Sequence, residues 1–475
     1  MPNLEALYVL LSKHLHYIYL LFAVPLVLFS VIKIPPFQNP DEPNHFARAE
    51  QVSRLELAPR FVYIKATTDT SQSPAYMQVP AGGFVVDKGV FQTANVFWPI
   101  AHHIGIKVKD ADFDSVKNIQ WGTGAALRNF ANTAIYAPVG YVLPAIGIAA
   151  GKIIHLPVIK TFYLARMLNA MCAITLCFWA LLLANQSKIL LFTVLLFPMT
   201  LTLFASVSQD AVLISCAFLL LGLIDNIETT PGKNYTNRQK WLMVILISII
   251  TIAKPPYLPL ALVFLFLKLD RKSKIISIAL PCLLAAAWIS ISLPNYSIRM
   301  PETDLSFNSK LQWLYITAHP FKFIGLFFNF DKMRMLNCYT MFIGILGWLD
   351  TSFSHNYYRV AYFVSFLAFA GTLNFQFNDR LKTRSGLFLT AFITLLAVLT
   401  SQYLNFTAVG ATMPGGMQGR YLTPVFPFLA LALCLSSQNE QITRLKAMVF
   451  LLIMLFPLIT AENMVHIINL RYYPQ

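Results

Sequence analysis

Charge is scarce in this chain. Only 12% of its 475 residues are Asp, Glu, Lys or Arg, where an ordinary soluble domain carries about 25%. Hydrophobic residues make up 57%, and the mean hydropathy is +0.59. This excludes a single water-soluble globule, because the apolar residues fall into runs long enough to cross a bilayer. Cysteine is sparse too, at six residues. Cys172, Cys177, Cys216, Cys282 and Cys434 lie in apolar runs and Cys338 in an expected loop. With no paired spacing, neither a disulfide framework nor a zinc site is supported. There is no nucleotide-binding Rossmann fingerprint, no internal repeat and no low-complexity tract. No cofactor and no metal-ligand cluster is expected.

Acidic residues are the scarcer sign, 21 against 36 Lys and Arg, for a net charge of +15. The positives sit mostly in short loops between apolar runs, where they set topology under the positive-inside rule. A nucleic-acid partner is not needed to explain them. The chain therefore reads as an all-α polytopic membrane protein embedded in the lipid bilayer.

Eleven spans are expected, at about 17–32, 161–184, 188–206, 209–226, 241–254, 257–268, 275–293, 357–374, 385–404, 421–436 and 447–464. Lys13, His14 and His16 before the first run resemble the start of a secretory signal, but Lys33 to Pro36 is not a small-residue cleavage site. An uncleaved anchor with a cytoplasmic N-terminus follows. The basic loops at Lys188, Lys233 to Lys240, Lys268 to Lys274, Arg380 to Arg384, and Arg444 with Lys446 then face the cytoplasm together. The run 241–268 has to be a hairpin broken at Lys254-Pro255-Pro256-Tyr257, where two backbone donors are missing. The apolar segment 134–150, with Pro138, Gly140, Pro144 and Gly147, would upset this parity as a span. It is read as re-entrant or interfacial, which is tolerated only against protein or a wet cavity; a tilted span is the competing reading.

One domain, 1–475, accommodates these elements: a first span to residue 34, a first outer loop with its juxtamembrane segment over 35–160, and a helical core over 161–293. A second outer segment covers 294–355, and C-terminal helices with a third outer loop near 405–419 cover 356–475. The first loop carries nine Lys or Arg and nine Asp or Glu between residues 35 and 133, consistent with a folded element, and is too long to be a mere connector.

Polar groups near membrane depth are costly and mark functional candidates. Six places stand out, all on the outer side of this topology. In Pro40-Asp41-Glu42-Pro43-Asn44-His45-Phe46-Ala47-Arg48, a helix starting at Asp41 would put Asp41, His45 and Arg48 on one face, although Asp41 is also a natural N-cap. Arg166 lies near the outer end of its run and could equally snorkel to the headgroups. Asp210 ends Ser206-Val207-Ser208-Gln209-Asp210, where a helix cap is the alternative. Lys254 and Tyr257 sit at the proline break. Trp348 and Asp350, in Gly347-Trp348-Leu349-Asp350-Thr351, compete with a plain interfacial anchor. Arg420 follows the flexible Gly415-Gly416-Met417-Gln418-Gly419, and an Arg at a helix N-terminus opposes the dipole.

Together, carboxylates near Asp41 and cations at Arg166, Lys254 and Arg420 suit transfer from an anionic phosphate leaving group. A carboxylate would take the acceptor proton while the cations stabilise the departing phosphate. Direct displacement with inversion follows from a base that is not a nucleophile. Ionisable residues cluster at the outer ends of the runs, which disfavours a transporter or flippase needing a charged route at the midplane. Trp98, His102 and His103 could line an acceptor groove or belong to the loop's own core.

The ordered motifs, Pro40-Asp41-Glu42-Pro43 with His45 and Arg48, Ser-x-Ser-x-Asp210, Lys254-Pro255-Pro256-Tyr257, Gly347-Trp348-Leu349-Asp350 and Gln418-Gly419-Arg420-Tyr421, resemble the predicted membrane proteins of domain-of-unknown-function family 2142 across almost the whole chain. That family in turn looks like a branch of the GT-C glycosyltransferases, with the protein O-mannosyltransferases and the lipid A aminoarabinose transferase. The resemblance implies a GT-C-like fold and a polyprenyl-phosphate-linked sugar donor in the outer leaflet. It also implies a glycan or glycolipid acceptor and a site facing outward from a bacterial inner membrane. By position the catalytic base would be Asp41, with Glu42 beside it. Arg166 would approach the donor phosphate, Asp210 would be a second acidic position in substrate binding, and 134–150 a juxtamembrane element. An O-antigen ligase or polymerase using a diphosphate-linked donor is an alternative with similar cations.

Overall fold

The computed structural model describes residues 4–58, 61–62, 81–82, 85–101, 103–128, 130–292, 308–327, 332–373, 380–436 and 443–474. Among them, six helices are long and apolar enough to cross a membrane: Leu15–Lys33, Val158–Leu183, Asp210–Thr229, Arg271–Ser292, Leu381–Phe406 and Arg444–Tyr472. Asp210–Thr229 is the central one. Between its polar ends it is almost wholly apolar, and 94% of its most apolar stretch is buried by its neighbours, as expected of a helix enclosed on all sides. The other five leave more than half of that stretch uncovered.

The remaining five expected spans fold as shorter or interrupted helices. Residues 188–206 divide into Lys188–Leu195 and Pro198–Phe204, because Pro198 has no N–H to continue the ladder. Asn237–Ala253 begins at a capping box between Thr236 and Gln239. Pro255–Leu265 winds as a 3-10 helix, with Pro255, Pro256 and Pro259 withholding donors. His355–Thr372 and Phe426–Cys434 account for the last two. Six rather than eleven described helices therefore meet the requirement of length and apolarity for a crossing.

The segment expected to be re-entrant forms a 3-10 turn, Pro138–Tyr141, followed by the 12-residue helix Val142–Ile153, where a crossing needs about 20 residues. It folds back onto Val158–Leu183 through two glycines one helical turn apart. A Cβ on Gly147 would lie 2.9 Å from the Ala165 Cα, and one on Gly151 would lie 2.5 Å from Thr161 Oγ1. Small residues at this spacing let two helix backbones approach closely.

The first loop contains the helix Glu42–Ser53, packed on Val142–Ile153. It also contains an antiparallel strand pair in which Val85, Val86 and Asp87 face Leu127, Ala126 and Ala125. Asp87 closes this unit by accepting from the Gly89 and Gly122 N–H groups. The loop is tied to the last helix: Lys107 Nζ donates to the Leu470 and Arg471 carbonyls, and Val108 N–H to the Tyr472 carbonyl.

Candidate functional site

The chain leaves its first long helix at Lys33, and the next nine residues are fixed from across the bundle by Arg166. This guanidinium is fully buried. Its Nε and Nη2 donate to Glu42 Oε1 and Oε2 at 2.8 and 2.6 Å, and its remaining N–H groups reach the carbonyls of Val31, Ile34 and Pro35. All five donors of an arginine are thereby used. Glu42, also fully buried, accepts further from the Val207 N–H at 3.1 Å. Neither residue lines the cavity beside Asp41. Every N–H of Arg166 is thus engaged, and Glu42 is sealed within the pair.

Asp41, one residue earlier, faces the other way. Its backbone is left-handed, φ 58° and ψ 10°, and although it occupies the N-cap position its carboxylate makes no capping bond. For a residue other than glycine this conformation is uncommon, Asp and Asn being the best tolerated. The carboxylate, 35% exposed, meets Arg420 Nη2 at 3.0 Å. Arg420 Nη1 lies 3.7 Å from Asp210 Oδ2, an ion pair too long for a hydrogen bond. Asp210 Oδ1 in turn accepts from Lys254 Nζ at 2.5 Å. Four separate segments therefore contribute one alternating row, Asp41, Arg420, Asp210 and Lys254. Asp210 starts its helix and Lys254 is the C-cap of Asn237–Ala253, so each sits at the helix end whose dipole favours its charge.

The row lines a cavity of about 490 Å³, within the range of small-ligand sites. Arg420 Nε and Nη1 and Asp210 Oδ2 are buried there without hydrogen-bond partners. Tyr257 also lines the cavity and is fixed by its hydroxyl donating to the Tyr421 carbonyl at 2.9 Å. His45 lines it as well, with Nδ1 2.6 Å from the Tyr141 hydroxyl. Burial pushes the His45 imidazole down to about 4, with the Arg420 and Lys254 charges adding to the effect and Asp41 and Asp210 opposing it. The ring is neutral at physiological pH.

Besides Glu42 and Arg166, three more expected site residues lie away from this cavity. Arg48 is buried and does not line the cavity. Its N–H groups go to the Tyr136 carbonyl, Gln51 Oε1 and the carbonyls of Glu56 and Leu57. Burial lowers its guanidinium to about 10, which leaves it charged, and it acts by holding the Tyr136 backbone in place. Trp348 donates to the Phe37 carbonyl and packs edge-on against Trp98, while Asp350 pairs with Arg471 at 3.0 Å. These two brace the first loop against the last helix and are not among the cavity residues. His103 is exposed, and His102 lies outside the described residues.

Sequence reasoning missed most of the uncharged lining, Asn132, Tyr136, Trp288, Gln402 and Asn405, and quoted Gln418 only as part of the motif that carries Arg420. The available signal was the polar group Ser401, Gln402 and Asn405 at the end of the otherwise apolar helix Leu381–Phe406.

No curated protein and no solved structure matches the chain. One family model, described as predicted membrane protein (DUF2142), matches residues 23–429, a stretch that contains all four members of the ionic row. The chain belongs to the DUF2142 family of predicted membrane proteins.

Proposed function

We propose that this protein is an inverting glycosyltransferase of GT-C type. It moves a sugar from a polyprenyl-phosphate donor to a hydroxyl of a surface glycan or other envelope acceptor, on the extracytoplasmic side of an eleven-span chain in a bacterial inner membrane. The observation that carries this reading is the pairing, within one cavity, of an accessible carboxylate on Asp41 with buried, unpartnered N–H groups on Arg420.

In this mechanism Asp41 takes the proton from the acceptor hydroxyl as its oxygen attacks the anomeric carbon. The bond from that carbon to the phosphate oxygen breaks, and polyprenyl phosphate leaves with the electron pair. Arg420 Nε and Nη1 receive the phosphate without surrendering the Nη2 bond to Asp41, because these two groups are unused. Lys254 adds a second positive charge from its contact with Asp210. Preorganised donors aimed at developing negative charge supply much of the catalysis in such reactions, and the general base typically supplies about 10²–10⁴-fold.

The test is transfer of labelled sugar from a panel of polyprenyl-phosphate donors in membranes, comparing the wild type with Asp41→Asn at equal expression. Transfer that falls by about two orders of magnitude or more in the variant is the expected outcome. A wild type that only moves lipid-linked sugar between leaflets, unaffected by the substitution, replaces this reading with a transporter.

A further inference from the structure

The ionic row accounts for one part of the cavity. The remaining lining is uncharged among the described residues, His45 being neutral, and its polar groups are mostly amides and hydroxyls. Gln402 and Ser401 come from the last turns of Leu381–Phe406, Gln418 from just before the 3-10 turn Gly419–Leu422, and Trp288 from near the end of Arg271–Ser292. Gln418 Oε1 is buried without a hydrogen-bond partner. The half-buried side chain of Gln402 bonds to no described residue, while its backbone carbonyl accepts from Thr407 Oγ1 at 3.2 Å. Buried polar groups are ordinarily satisfied, so an unpaired amide facing a cavity marks the place of a ligand's polar group or of water. Gly416, at φ +67°, keeps this region open: a Cβ there would lie 2.9 Å from the Phe406 Cβ and 3.0 Å from Gln402 Oε1. The Trp288 indole N–H is already taken by the Ile135 carbonyl at 2.8 Å, which leaves the ring as apolar surface.

An amide offers a donor and an acceptor side by side and so matches a hydroxyl, which both donates and accepts. The aromatic ring suits the C–H face of a pyranose. A carboxylate or ammonium placed here would be desolvated among uncharged side chains, with Arg420 and Lys254 committed to the donor phosphate in the transferase reading. We infer that Gln402, Gln418, Ser401 and Trp288 form a subsite for the ring of a neutral monosaccharide, which selects a neutral hexose over a uronic acid or an amino sugar. This rests on the glycosyltransferase reading for what the bound sugar is used for.

The experiment uses the full chain in lipid nanodiscs and four probes: a neutral methyl hexopyranoside, the matching methyl hexuronoside, a methyl aminohexopyranoside, and bare polyprenyl phosphate. Saturation-transfer NMR reports the glycosides, and protection against thermal unfolding reports the lipid phosphate. The neutral glycoside should bind about tenfold more tightly than the uronoside, and lose about tenfold in Gln418→Ala and in Gln402→Ala, the scale of one hydrogen bond. Bare polyprenyl phosphate should be held equally by the wild type and both variants, which also certifies that the variants fold. The isosteric Gln418→Glu should shift preference towards an amino sugar. Equal binding of hexoside and uronoside, no hexoside binding, or amide variants that weaken the bare lipid as much as the glycoside would each overturn the subsite. Hexoside binding with no affinity for polyprenyl phosphate would count against the transferase reading while leaving the subsite in place.

Discussion

Asp41 and Glu42 are adjacent carboxylates with opposite fates. Glu42 is fully buried, paired bidentately with Arg166, and nothing in that pair is left over for a ligand. Asp41 is one-third exposed and paired through a single contact to Arg420, which keeps two donors unused. A complete set of hydrogen bonds around a buried charge marks a structural clamp, whereas an incomplete set beside a cavity marks a place open to a ligand or water. The clamp also serves the site, because Arg166 holds the carbonyls of Val31, Ile34 and Pro35 and so sets the chain path from which Asp41 projects.

The largest effect belongs to the clamp. Arg166→Ala strands a buried carboxylate, and removing one partner of such a pair costs about 3–5 kcal/mol. The expected result is a steep loss of folded protein in membranes and of thermal stability in detergent, before any assay of activity. A stable Arg166→Ala protein that loses only transfer would erase the distinction and return Arg166 to the donor site.

The row should behave conversely. Asn shares the tolerance of Asp for left-handed backbone, so Asp41→Asn keeps the turn while removing the base. Stability should change by less than about 1 kcal/mol while transfer falls by about 10²–10⁴-fold. Melting curves and transfer rates from one preparation of each variant make the comparison; parallel losses in both would mean that Asp41 is another structural carboxylate.

His45 tests burial at the cavity edge through pH. Its folded pKa, about 4, lies below the ordinary value of about 6.5, so the unfolded chain binds more protons between these values. Stability therefore rises with pH across that window, is fully present above about 6.5, and is lost as pH falls towards 4. The span corresponds to roughly 3 kcal/mol. His45→Gln should flatten the thermal stability profile between pH 4 and 6.5; a profile of unchanged slope would assign the acid sensitivity to other groups.

The sequence made the charged half of this comparison legible, because ionisable residues stand out in an apolar chain. It could not separate Asp41 from Glu42, since the division depends on Arg166, which is 124 positions distant from Glu42. Helical spacing misplaced Arg48 for a related reason. Asp41 lies outside the helix in a left-handed turn, so the phase counted from it does not apply, and His45 turns to the cavity while Arg48 turns to the Tyr136 carbonyl. Gln402 was invisible because uncharged amides at helix ends are common, and Gln418 was noticed only as part of the motif that carries Arg420. The sequence showed the apolar segments and the break at Pro255, but not the one that Pro198 introduces within 188–206.

The smallest expected effect lies at the second cluster that the sequence singled out. Trp348 donates to the Phe37 carbonyl at 3.1 Å and touches Trp98, whereas the cavity is lined by other residues. Trp348→Phe keeps an aromatic ring but removes the donor, a loss of about 1 kcal/mol when a partly buried carbonyl goes unpaired. A small drop in melting temperature with unchanged hexoside binding and unchanged transfer is the outcome that follows. Phe37 lies only four residues before Asp41, however, so the brace and the base share a short stretch of chain. If Trp348→Phe lowers transfer well beyond its cost in stability, the path of residues 37–41 is set by this brace as well as by the Arg166 clamp, and the line between structural and chemical regions moves one step closer to Asp41.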